Sequence, residues 1–69
     1  MRRFTLEEGM TLLILSGRIR DEIDPTLGDL IERVAGGDES ALVPAVDRLK
    51  ELGREEQAER LKRLVKGKF

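Results

Sequence analysis

Large apolar side chains recur along this chain at steps of three and four, and each run of that rhythm is cut by glycine or proline. In the first run, Leu6, Met10, Leu13 and Gly17 fall along one side of a helix, while Leu12, Leu15 or Ser16, Ile19 and Ile23 fall along another. That spacing predicts a helix apolar over much of its circumference. Its centre, Met10-Thr11-Leu12-Leu13-Ile14-Leu15, sets four large aliphatics in a row, which cannot all lie on one stripe. Such a segment is either a core element or an interface, and we expect it to run through the middle of the fold. A short strand over residues 10–15 is the competing reading. It would need a pairing strand from another chain, because no second strand-like run exists here.

Punctuation sets the element boundaries. Thr5-Leu6-Glu7-Glu8 has the form of a capping box, so the first helix is predicted over residues 6–22. Asp24-Pro25-Thr26 breaks the chain, and Thr26 to Asp29 offers a second cap. Leu27, Leu30, Ile31 and Val34 then mark one buried face of a helix over 27–35, which Gly36-Gly37 closes. Asp38-Glu39-Ser40 supplies acids and a cap for a third helix, 42–52, with Leu42, Ala45, Val46, Leu49 and Leu52 inward. Pro44 demands a single turn or an irregular entry there. After Gly53 a fourth helix, 54–66, directs Ala58, Leu61, Leu64 and Val65 inward and stops at Gly67. Gly9 and Gly17 each cost about 1 kcal/mol relative to alanine inside a helix, which suggests a close helix packing at Gly17. The expected architecture is an all-α, compact four-helix domain covering residues 1–69, with neighbouring helices joined by short connections.

Composition narrows the class. At 69 residues the chain is near the size where one core yields only about 3 to 5 kcal/mol, so oligomerisation is a natural supplement. Apolar and charged residues each make up 39%, too apolar for disorder and too charged for a membrane protein. Met-Arg-Arg-Phe has the charge of a signal-peptide start, but Glu7, Glu8 and Gly9 interrupt the hydrophobic region that a signal peptide needs next. With no cysteine to form disulfides, a cytoplasmic location is expected.

Thirteen basic residues against fourteen acidic ones leave a net charge of −1, so no global field draws nucleic acid. The cations crowding residues 60–68 complement the negative end of the last helix. Arg2, Arg3 and Phe4 at the start, and the basic tail ending in Phe69, would give only marginal membrane affinity, and no membrane partner is expected.

Catalytic chemistry is poorly provided for. The chain has no His, Cys, Trp or Tyr. The acidic clusters Asp21-Glu22-Ile23-Asp24 and Asp38-Glu39 lack the spacing of a calcium loop, so no metal is assigned. Ser16 and Ser40 have no histidine to act as base, and Gly36-Gly37 lacks the Lys-Ser/Thr of a phosphate loop. Neither an enzyme nor a cofactor is expected.

Two local patterns resemble known helical units. Residues 26–53, TLGDLIERVAGGDESALVPAVDRLKELG, look like the helix-turn-helix of winged-helix transcription regulators, with Leu30, Ile31, Val34, Val46, Leu49 and Leu52 at the core positions. The resemblance implies that residues 40–50 would face a major groove. Asp38, Glu39 and Asp47 would then face phosphate, Pro44 would sit in the reading helix, and Arg54-Glu55-Glu56 would stand in place of a basic wing. Residues 46–65, VDRLKELGREEQAERLKRLV, are similar to the turn and half-helices of a tetratricopeptide repeat, with Leu49, Gly53, Ala58 and Leu61 as packing positions. One copy implies a helical hairpin and no repeat array.

The expected function is that of a small non-catalytic protein–protein interaction module, self-associating or docking on a larger partner, with Leu12, Leu13, Ile14, Leu15 and Ile19 as the interface. The alternative is a DNA-binding helix-turn-helix regulator built on helices 27–35 and 42–52, with Arg48, Lys50, Arg54, Arg60 and Arg63 as nucleic-acid contacts.

Overall fold

Four α-helices and one 3-10 turn account for most of residues 4–69, the part of the chain that the computed structural model describes. The first, α1 (Leu6–Glu22), starts from the expected capping box. Thr5 N donates to Glu8 Oε1 at 2.8 Å and Glu8 N donates to Thr5 Oγ1 at 3.2 Å, which satisfies two amides that no helical carbonyl can reach. The second, α2 (Pro25–Ala35), begins two residues earlier than its apolar rhythm suggests. Its cap is Asp24 rather than Thr26: Asp24 Oδ1 accepts from Thr26 N at 3.0 Å, and Pro25 occupies the first helical position, where an N–H has no partner to lose.

Gly37 turns the chain out of α2 with φ 95°. The irregular entry demanded by Pro44 is a 3-10 turn, Glu39–Ala41, ahead of α3 (Leu42–Glu51). Asp38 rather than Ser40 caps that turn, because both the amide and the hydroxyl of Ser40 donate to its carboxylate. Gly53, at φ 75°, separates α3 from α4 (Glu55–Val65), and each of these two helices starts and stops within a residue of its predicted ends. Among the described residues there is no strand, so the extended alternative for residues 10–15 is overturned.

The most extensive packing joins α1 to α2, followed by α3 with α4 and α2 with α3, while α1 touches α4 only lightly. Leu12, Leu15 and Ile19 of α1 meet Leu27, Ile31 and Val34 of α2 in a core completed by Ala45 and Leu49 of α3 and Ala58, Leu61 and Val65 of α4. The radius of gyration, 10.7 Å, matches the roughly 11 Å of a compact chain of this length.

Two expectations about α1 are corrected. It does not run through the middle, since the other helices cover one side and leave the opposite side in solvent. Nor is Gly17 its close-packing point: a Cβ there would meet nothing within 4 Å. The close approach belongs to Gly28 of α2, where an added Cβ would lie 2.5 Å from Arg20 Cβ and 2.8 Å from the Ser16 carbonyl oxygen. Arg20 then reaches over α2 to Asp29 (2.8 Å) and to Glu32, and these hydrogen bonds, Glu32 foremost, raise its pKa.

The beginning and end of the described chain meet. Phe4 is buried against Phe69 in an edge-to-face pair with centroids 5.7 Å apart, and Lys68 Nζ lies 2.8 Å from the Glu8 carboxylate. The two aromatic ends therefore pack on each other instead of standing out as surface anchors; Arg2 and Arg3 lie outside the described residues.

Candidate functional site

Because successive residues of a helix are turned by about 100°, α1 divides its apolar residues between two opposite faces. Leu12, Leu15, Ser16 and Ile19 point into the core, with the Ser16 hydroxyl satisfied by the Leu13 carbonyl at 2.8 Å. Leu6, Met10, Leu13 and Ile14 point the other way and are 69%, 53%, 48% and 62% exposed. Leu6, Met10, Leu13 and Gly17 form a stripe at steps of four, three and four, the spacing of a seam between paired helices, and Ile14 stands beside it. The remaining exposed large apolar residues among those described, Val43 and Leu52, lie on and just after α3.

The stripe has open notches and charged margins. Gly9 beside the stripe and Gly17 at its end leave empty space over their α-carbons. On one margin stand Glu7 and Arg18, both exposed and neither ion-paired with a described residue. Beside Arg18 runs a groove of about 210 Å³, lined by Thr11, Ile14, Leu15, Arg18 and Arg60, so α4 contributes a second guanidinium without an ion pair among the described residues. The other margin holds Arg20, already bound to α2.

Of the five residues expected at an interface, Leu13 and Ile14 lie on the stripe, while Leu12, Leu15 and Ile19 are core residues of the same subunit. Sequence reasoning misses Leu6 and Met10, although their spacing to Leu13 and Gly17 places them on the same side. That signal is present but is outweighed by the compact run of aliphatics after it.

The cations expected to contact nucleic acid are spread over two helices and the turn between them. Arg48 donates to Asp24 and Glu51, at 3.2 Å each, and these hydrogen bonds, Asp24 first, raise its pKa. Lys50 lies in the last turn of α3 and Arg54 precedes α4. Arg60 and Arg63 share a concave surface with Glu55, Glu56 and Glu59. Among the described residues, no group of three acidic side chains is placed to hold a metal ion, and no helix is long and apolar enough to cross a membrane. Comparison with protein-family models, with curated proteins and with solved structures gives no match.

Proposed function

We propose that this chain is a non-catalytic protein–protein interaction module whose contact surface is the outward face of α1, centred on Leu6, Met10, Leu13 and Ile14. The observation that carries the reading is the exposure of these four side chains along one seam of a helix whose other side already supplies the core. Full burial of such a side chain is worth about 1.5–3 kcal/mol, so a partner covering the stripe has a large driving force available. The surroundings have the anatomy of an interface, with an apolar centre and charge at the margin in Glu7, Arg18 and Asp21. Two helix-interior glycines, one beside the stripe and one at its end, would let another backbone come close, and nothing inside the subunit requires them.

Site-specific photocrosslinking tests this reading. With a photoreactive amino acid at position 13, cells expressing the chain are expected to yield a covalent adduct with a polypeptide, either another copy or a different protein. The same label at Glu51, on α3, serves as the control. Equal or absent adduct formation at the two positions would remove the outward face of α1 as the contact surface.

A further inference from the structure

Resting on the reading of α1 as a docking face, we infer that its occupant is α1 of a second copy of this chain, laid antiparallel about a two-fold axis. A two-fold of this kind brings each margin of the stripe against the same margin of the other copy, with the residue order reversed. Placing Leu6 of one copy over Gly17 of the other then sets the remaining contacts without further adjustment.

Leu13 falls over Gly9, on the margin that both share, and Met10 falls beside Ile14. On the opposite margin, Glu7 reaches the groove that Arg18 and Arg60 line. Large side chains thus meet notches, apolar meets apolar, and an exposed carboxylate meets two guanidinium groups that lack an ion pair among the described residues. Symmetry makes every one of these contacts twice.

The parallel arrangement fits worse. It would set Gly17 against Gly17, leaving a void, and would hold Glu7 about 11 residues along the seam from Arg18 of the other copy, out of reach of an ion pair. Charge complementarity and the positions of the notches both select the antiparallel order. The seam from Leu6 to Gly17 is only about 12 residues long, or about 18 Å, too short to reach the roughly 1,200 Å² of a standard specific interface, so a weak, readily exchanging dimer is expected.

The test is sedimentation equilibrium on the full chain, on the two single variants Glu7→Arg and Arg18→Glu, and on their equimolar mixture. Both substituted positions are exposed, and far-UV circular dichroism confirms that each variant is folded. The wild type is expected to dimerise in the micromolar range, and each variant alone, which sets like charges together at both ends of the seam, to dimerise at least about tenfold more weakly. In the mixture, the introduced arginine faces the introduced glutamate at one end of the seam, and the native Glu7 faces the native Arg18 at the other. Dimerisation is then expected to return to within about threefold of wild type.

A wild-type dimer indifferent to both substitutions would overturn the antiparallel assignment. A chain that stays monomeric up to about 100 μM would overturn the second copy as occupant. In that case, an adduct at position 13 with a different polypeptide would leave the docking face standing, and no adduct at all would remove both.

Discussion

Three glycines in helices occupy two different situations, and the same substitution should sort them. At Gly28 a methyl group would press on Arg20 and on the Ser16 carbonyl, at distances well inside van der Waals contact. Gly28→Ala is expected to destabilise the subunit by about 1–3 kcal/mol, the usual range for overpacking. Gly9→Ala and Gly17→Ala meet no obstacle and should each stabilise it by up to about 1 kcal/mol, the helix-propensity difference. Urea unfolding at protein concentrations too low for self-association measures all three. The sequence reveals that each helical glycine is costly, but not which one faces a neighbour. That depends on how α1 is rotated, and a helix apolar on two sides leaves the rotation ambiguous. This is why Gly17 is the natural expectation and Gly28 the actual contact.

Helix starts are the most legible elements. Thr5 with Glu8, Pro25 and the Asp38 region all announce themselves through local hydrogen bonding that needs no tertiary partner. What local rules miss is the second role of a cap. Asp24 holds the first turn of α2 and also takes Arg48 from α3, 24 residues away. Its side chain is only 18% exposed. Asp24→Ala should lose both roles and cost about 1–3 kcal/mol. Asp24→Asn, which still caps, should lose only the ion pair and cost about 1 kcal/mol or less. Thermal denaturation of the two variants separates the contributions; equal losses would mean that capping by this side chain contributes nothing beyond the ion pair. The outward stripe on α1 is half legible for a related reason. Periodicity groups Leu6, Met10, Leu13 and Gly17, yet only packing decides which of two apolar faces is left over, and packing assigns Leu12, Leu15 and Ile19 to the core.

At the scale of the molecule, the contact between the two ends is not legible in the sequence at all. The basic tail reads naturally as a complement to the dipole of α4, whereas Lys68 in fact holds the first turn of α1 through Glu8. The Lys68 hydrogen bond, followed by that from the Thr5 amide, lowers the Glu8 pKa; the Ser40 hydroxyl, followed by Arg33, lowers that of Asp38. A carboxylate whose folded pKa lies below its unfolded one adds stability that is fully present above the unfolded value, about 4 for these residue types, and is lost as pH falls through the folded value. The melting temperature is therefore expected to hold from neutrality to about pH 5 and to decline below it. Glu8→Gln should make that decline shallower, and an unchanged profile would show that the Lys68 contact does not contribute to folding.

The edge-to-face pair of Phe4 and Phe69 also bears on topology. Since the last described residue packs on the first, and each helix touches the next with α4 touching α1, the helices form a ring of neighbours with no privileged first member. A short bridge from residue 69 back to residue 4, with a new opening at Gly36-Gly37, would rewrite the reading order as α3, α4, α1, α2, and the permuted chain is expected to keep the same interhelical packing.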